Sequence, residues 1–338
     1  MSAPIDLGPL HQALDDAIFR HLPSSHTDPE LERFYTLLRN YPERGGKRLR
    51  GLALLLSAAA HGAPWRVGLG PAAALELFQN WVLIHDDIED GSEERRGRPA
   101  LHRQVGIPVA LNVGDALHIY MWRTLLRSEF TSWDQQRRIV DTFEDYITRT
   151  AEGQHLDLAW VEAGRFDVSE REYLEMVTLK SAYYTVVGPL VLGALAAGAE
   201  PSPELVAAGI DLGMAFQIRD DVLNLMEDVS YGKEFAGDLF EAKRTLILAH
   251  FFEQAPSDLH NGVRELLAKP RAAKSPDEIN QLVTLLRDHG SIAFAQDVAD
   301  AKARSGLNKL RTCLAALPDQ AAAETLLHLL SEVAQRRT

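Results

Sequence analysis

Apolar positions along this 338-residue chain recur at helical spacing. Ile139, Phe143, Tyr146 and Ile147 share one face of a helix, whereas a half-buried strand would alternate every second residue. No stretch reads as a strand. Ile5 to Leu22 and Leu31 to Tyr41 predict two short amphipathic helices, divided by the Pro23 to Pro29 break. Leu52 to His61 and Ala72 to Asp90 predict apolar helices; the second contains neither Pro nor Gly. After a loop from Gly91 to Pro99, Val109 to Leu126 is helical, and no proline interrupts the chain from Pro108 to Pro189. Pro201 to Pro203 marks a turn, Glu204 to Met226 the next helix, and Glu227 to Asp238 a loop before a helix that starts at Lys243-Arg244-Thr245. Later helices divide at Pro256, Pro270 to Pro276, Gly290 and Pro318, and carry no concentrated motif, so they are assigned to packing. The expected architecture is all-α: one domain over residues 1–338, with long helices enclosing a central cavity.

Within this pattern one helix ends badly. Trp81 to Asp90 runs from apolar residues into Asp86, Asp87, Glu89 and Asp90. The C-terminal pole of a helix already carries partial negative charge, so acids there call for a cation. Asp86 and Asp90 lie one turn apart on one face, and hard oxygen ligands of this kind suit Mg²⁺, which takes one or two carboxylates together with substrate phosphates. Arg95 and Arg96 in the following loop are the simpler partners, and for this helix alone the better assignment. A second copy of the pattern shifts the balance: Gly213 to Asn224 again runs apolar into Asp220-Asp221, with Asn224 four residues on from Asp220. Repetition of a costly feature points to shared work.

Charge narrows the partners. A formal net charge of −13 argues against nucleic acid or an anionic membrane surface as partner. An anionic ligand therefore requires local bases, and Lys47-Arg48-Leu49-Arg50 and Arg95-Arg96-Gly97-Arg98 supply them. Gly45-Gly46 followed by bases at a helix start suits an anion, because free N–H groups and the positive pole point the same way; a solvated loop is the plain alternative. Lys180 lies in a small-residue, apolar setting before the Gly188-Pro189 break, and by itself reads as a lysine snorkelling to solvent. The single cysteine, Cys313, fits a reducing, cytoplasmic setting, and neither a signal peptide nor a membrane span is expected.

The two Asp motifs, GGKRLR, RRG-x-P-x-x-H (Arg95 to His102), GQ-x-L-D-L (Gly153 to Leu158) and FQ-x-x-DD (Phe216 to Asp221) follow one another over about residues 44–246 in an order and spacing that resembles trans-type isoprenyl diphosphate synthases. The resemblance implies a helical bundle, a homodimer, and head-to-tail condensation of isopentenyl diphosphate with an allylic diphosphate. It implies that Asp86, Asp90 and Asp220 hold three Mg²⁺ ions, with Asp87, Asp221 and Asn224 completing the metal motifs. It also implies that Lys47, Arg50, Gln79 and Arg96 hold isopentenyl diphosphate; that Arg95, Lys180, Lys233 and Lys243 grip the allylic diphosphate; and that Ser181 and Gln217 place oxygens near the allylic cation. Four positions depart from the family's usual pattern. Gly51 stands for Pro, Gln79 for His, Ser181 for Thr, and Asn224 for the last Asp of the second motif.

The resemblance further implies that a bulky residue five positions before Asp86, here Trp81, floors the pocket. On an ideal helix Trp81 points about 140° away from Asp86, while Val82 and Leu83 lie nearer the acidic face. The resemblance is given more weight, and with no two-residue insertion between Asp87 and Asp90 it favours a C20 product, geranylgeranyl diphosphate, over C15 farnesyl diphosphate. The alternatives are a non-catalytic regulatory subunit, in which Asn224 marks decay, and a class I terpene cyclase.

Overall fold

The structure is a computed structural model, and it describes residues 4–226 and 235–334. The helices are α1 (Leu7–Arg20), α2 (Pro29–Glu43), α3 (Leu49–Ala60), α4 (Leu69–Glu89), α5 (Leu101–Val105), α6 (Ile107–Leu126), α7 (Trp133–Glu162), α8 (Glu170–Val177), α9 (Gly188–Ala196), α10 (Pro203–Asn224), α11 (Gly237–Phe240), α12 (Leu246–Gln254), α13 (Ser257–Ala268), α14 (Pro276–Asp288), α15 (Ser291–Ala315) and α16 (Gln320–Ala334). The all-α expectation holds, and the predicted starts are explained by caps. Asp28 accepts from the N–H groups of Glu30 and Leu31 and is followed by Pro29, while Ser202 accepts from Leu205 and is followed by Pro203. Proline is tolerated at a first helical turn because its missing N–H has no partner to lose there.

Two differences from the sequence reading matter. At Gly188-Pro189 the chain does not break. Residues Thr178–Val187 form a π-helix, with Gly188 N–H reaching back five residues to Tyr183 O, and α8 and α9 run on through it. Pro189 cannot donate, and a wider turn absorbs the misfit without ending the helix. The second difference is a short antiparallel pair, β1 (Glu94–Arg95) with β2 (Arg98–Pro99), among the arginines where no strand was expected. Its two-residue turn holds Arg96 and Gly97 at φ 55° and 69°, the positive values that a tight hairpin turn demands.

Packing explains where the two Asp motifs lie. α4 belongs to a core with α3, α6 and α9, built on Leu54, Phe78, Phe143 and Leu190. α10 crosses between two cores: Leu205, Ala208, Leu212 and Ala215 face the first, whereas Ile218 and Val222 face a second made with Tyr173, Val177, Leu246 and Phe251. A helix buried on every side needs no amphipathic stripe. The π segment lies between α7 and α10. A Cβ on Gly153 would stand 2.2 Å from the Lys180 nitrogen, and one on Gly213 would stand 2.5 Å from the Ala182 Cα. These glycines permit backbone contact. Two runs, Trp65–Glu89 and Glu170–Ala196, are long and apolar enough to cross a membrane, but 61% and 78% of their most apolar windows are buried in the bundle.

Candidate active site

A cavity of about 630 Å³ opens between α4, α7, the π segment and α10. Its lining includes Arg50, Gln79, Trp81, Val82, Asp86, Arg95, Arg96, Lys180, Ser181, Gln217, Asp220, Asp221 and Lys243, most of the residues singled out from the sequence. Asp90 and Asn224 instead line a narrow cleft of about 40 Å³ that also includes Asp86, Asp238, Glu241 and Lys243. Lys47 is exposed and lies outside the cavity lining, and Lys233 falls outside the described residues.

The two Asp pairs are built alike. Asp87 is fully buried; the Tyr41 hydroxyl donates to its Oδ2 at 2.5 Å, and Arg95 donates to its Oδ1 through Nε at 2.9 Å and through Nη2. Asp221 accepts from the Tyr173 hydroxyl at 2.6 Å and from Gln217 Nε2 at 2.9 Å. Asp87 and Asp221 thus each accept from protein donors on both oxygens, an anchoring role that stands beside the metal-binding one expected from the sequence. Asn224 is likewise engaged, its amide oxygen accepting the Asp238 N–H at 3.1 Å. The first acid of each pair, Asp86 or Asp220, lines the main cavity. Burial pushes the Asp221 carboxyl up to about 7, with Asp238 adding to the effect.

The bases are deployed by specific local structure. The hairpin turn sends adjacent arginines to different tasks. Arg95 clamps Asp87 and lies 3.5 Å from Asp86, whereas Arg96 Nη1 reaches the carbonyls of Tyr41, at 3.2 Å, and Gly45. Arg48, the buried N-cap of α3, turns away to Asp15 at 2.8 Å, leaving Arg50 to face the cavity. Arg50 donates to Thr185 Oγ1 at 2.9 Å and lies over the Tyr184 ring. Gln79 Oε1 is buried without a hydrogen-bond partner among the described residues. Lys180 does not snorkel: it is largely buried and lies 2.5 Å from Asp157. Burial pulls its ammonium down, but Asp157 and Asp86 outweigh it and hold the group above the usual lysine range. Lys243 contacts Asp90 at 2.6 Å and Glu241 at 3.0 Å. Several acids surround that one ammonium, and Asp90 carries the excess: burial, with Asp86 and Glu241, pushes it up to about 7 against the pull of Lys243. Ser181 Oγ donates to Gln217 Oε1 at 2.7 Å, so Ser181, Gln217, Asp221 and Tyr173 form one hydrogen-bonded line.

Trp81 does reach the cavity. Its ring stacks on His118 of α6 at 4.3 Å between centroids and meets the Phe78 and His85 rings edge-on.

The donor set fits a hard divalent cation. Every acid at the cleft offers oxygen only, and the burial of Asp90, close to Asp86 and Glu241, leaves a need for positive charge that Lys243 does not fully meet. Among the described residues no three His, Cys, Asp or Glu side chains converge tightly enough to hold an ion by themselves.

Sequence reasoning missed Tyr41, Tyr173, Asp157, Asp238, Glu241 and His118. Asp157 and Asp238 stood inside recognised stretches without a role. The tyrosines carried no signal, since a hydroxyl that serves an Asp 46 or 48 residues away is a tertiary fact.

The polyprenyl synthetase family model matches residues 31–286. A geranylgeranyl pyrophosphate synthase of Geoglobus acetivorans is 34% identical over 275 residues, covering 80% of this chain and 82% of that protein. A geranylfarnesyl diphosphate synthase of Natronomonas pharaonis is 32% identical over 317 residues, covering 88% and 89%. The crystal structure of geranylgeranyl pyrophosphate synthase from Corynebacterium glutamicum, complexed with isoprenyl diphosphate and magnesium, superposes with a TM-score of 0.87 at 28% identity, covering 98% of this chain and all of that one. With the paired acids, the convergent bases and these matches in agreement, the chain belongs to the polyprenyl synthetase family and is a trans-prenyltransferase.

Proposed function

We propose that the chain condenses isopentenyl diphosphate with an allylic diphosphate head to tail, giving mainly the C20 geranylgeranyl diphosphate, with the C15 farnesyl diphosphate next. The carrying observation is that a single cavity joins the acids Asp86 and Asp220, the bases Arg50, Arg95, Arg96, Lys180 and Lys243, and an aromatic wall of Phe78, Trp81 and Tyr184. Asp86, Asp90 and Asp220 are the residues that would hold Mg²⁺, three ions in all, and the metal would supply Lewis-acid stabilisation of the departing diphosphate. Arg95, Lys180 and Lys243 neutralise the allylic diphosphate. Arg50, Gln79 and Arg96, with the exposed Lys47 nearby in sequence, hold isopentenyl diphosphate. Ser181 and Gln217 place polar oxygens beside the reacting carbon, and the aromatic wall keeps water from it.

Trp81, braced by His118, sets the depth. The test is to incubate the purified chain with labelled isopentenyl diphosphate and each allylic primer and to size the products. A dominant C20 product supports the reading, whereas a dominant C15 or C25 product overturns the length. Absence of condensation with every primer would favour a regulatory subunit, and a cyclic hydrocarbon from the allylic substrate alone a cyclase. Trp81→Ala is expected to lengthen the product and Val82→Phe to shorten it. If only Val82→Phe acts, the floor is Val82 and its neighbours.

A homodimer belongs to the same proposal. Ile107, Leu111, Ile119 and Leu126 are exposed along α6, with Trp133 at 76% exposure on the neighbouring α7, an apolar stripe suited to a second copy. Light scattering should give twice the chain mass, falling to one chain mass for Ile119→Arg combined with Trp133→Ser.

A further inference from the structure

The segment after α13 was assigned to packing, yet two of its side chains reach toward the site. Arg271 Nη1 lies 3.1 Å from Glu241 Oε1, and Lys274 Nζ donates to the carbonyls of Phe240 at 2.6 Å and Leu239 at 3.3 Å. Those carbonyls end α11, where a cation is favoured by the negative pole. The other oxygen of Glu241, Oε2, lies 3.0 Å from Lys243 Nζ, which also contacts Asp90 at 2.6 Å. Asp238 is more distant, at 3.8 Å. An unbroken line thus runs from Arg271 through Glu241 and Lys243 to Asp90, every member at least three-quarters buried.

We infer that Glu241, fixed by Arg271, is a positioning residue that shares Lys243 with Asp90 and so presents its ammonium to the allylic diphosphate; this rests on the prenyl-transfer reading above. An ammonium has three donors and no fixed direction, so its place is set by the acids around it. Without Glu241, Asp90 at 2.6 Å would be far nearer than Asp238 at 3.8 Å, and Lys243 would be drawn onto the Asp90 carboxylate. One step would then withdraw a cation from the diphosphate and a carboxylate from any bound metal. Glu241 supplies the opposing pull. Arg271 holds Glu241 by its other oxygen, and Lys274 holds the backbone next to it, so this pull has a fixed direction.

The experiment measures equilibrium binding of geranyl S-thiolodiphosphate, whose carbon–sulfur bond resists ionisation, and of isopentenyl diphosphate, both with Mg²⁺. Glu241→Gln should weaken the thiolodiphosphate roughly tenfold and leave isopentenyl diphosphate within about twofold. In a Lys243→Gln background the same substitution should add less than about twofold, because the residue through which it acts is gone. Arg271→Gln should change binding in the same direction by a smaller factor, and Glu241→Asp should restore part of the loss. Equal weakening of both ligands, or an effect additive with Lys243→Gln, overturns the inference. Should Glu241→Gln fail to fold, Arg271→Gln is measured in the same two backgrounds and judged by the same outcomes. A wild-type chain that neither binds the thiolodiphosphate nor incorporates labelled isopentenyl diphosphate overturns the prenyl-transfer reading itself. A wild type that does both, with a Glu241→Gln variant that binds equally well, overturns this inference alone.

Discussion

The Asp pairs on α4 and α10 share one plan and differ in one component. In each, the leading acid lines the cavity and the second is buried under a tyrosine hydroxyl, Tyr41 over Asp87 and Tyr173 over Asp221. On α4 the remaining oxygen is held by the Arg95 guanidinium, whereas on α10 it is held by the neutral Gln217 amide. Burying a carboxylate costs less when a cation goes with it, and the raised Asp221 shows what neutral donors leave uncompensated. Asp87 is paired with a fixed protein charge, whereas Asp221 retains an appetite for positive charge.

Four measurements sharpen or break this contrast. The largest effect should be common to both halves: Asp86→Asn and Asp220→Asn should each cut kcat on the order of a hundredfold or more with the fold retained, as read from steady-state kinetics and circular dichroism. A leading acid that proved dispensable on one side would end the equivalence. Next, Arg95→Met strands Asp87 and should cost about 3–5 kcal/mol in urea unfolding, whereas Gln217→Leu removes one neutral donor and should cost about 1–3 kcal/mol. Equal losses would mean that the guanidinium matters no more than the amide. Third comes pH. A carboxyl at about 7 when folded and about 4 when unfolded binds more protons in the native state across that window, so its contribution to stability is present at low pH and lost as pH rises from about 4 through about 7. Without divalent metal, wild type should lose more of its melting temperature between pH 5 and pH 8 than Asp221→Asn does; parallel profiles would remove Asp221 as a source. The smallest effect should come from Asn224→Asp, which keeps an oxygen to accept the Asp238 N–H. Its turnover should stay within a few-fold of wild type, and a large gain would mark the natural Asn as a handicap.

What the sequence could disclose was local. Helix periodicity, proline and glycine punctuation and the repeated acid pattern depend on near neighbours, and from them the all-α architecture and the leading acids Asp86, Asp90 and Asp220 could be read. The sorting of each Asp pair into an outward and a buried member could not, because it depends on Tyr41 and Tyr173 arriving from other helices. The π segment was hidden for a related reason: Gly188-Pro189 reads as a stop, and only packing against α7 and α10 rewards the chain for winding wider and going on. Lys180 looked like a surface lysine because Asp157, which makes its burial affordable, is supplied by a different helix. Arg271 and Lys274 were set aside with the packing helices, since no spacing rule links Arg271 to Glu241, or Lys274 to the carbonyls of Leu239 and Phe240, some thirty residues away.

The backbone contacts at the π segment bear on how such an enzyme can change over evolutionary time. On the α4 side the cavity wall is made by side chains, among them Phe78 and Trp81, the latter backed by His118 of α6, and substitution can deepen or fill it while the helices stay where they are. On the opposite side Gly153 and Gly213 bring helices close at Lys180 and Ala182, where the contacts are backbone atoms and the short Ala182 methyl group, with no flexible side chain to yield. An alanine at either glycine would move the segment bodily, and Lys180 and Ser181 with it. One wall of the cavity is thus open to reshaping by single substitutions while the other is locked by its own backbone, so that the two can change independently.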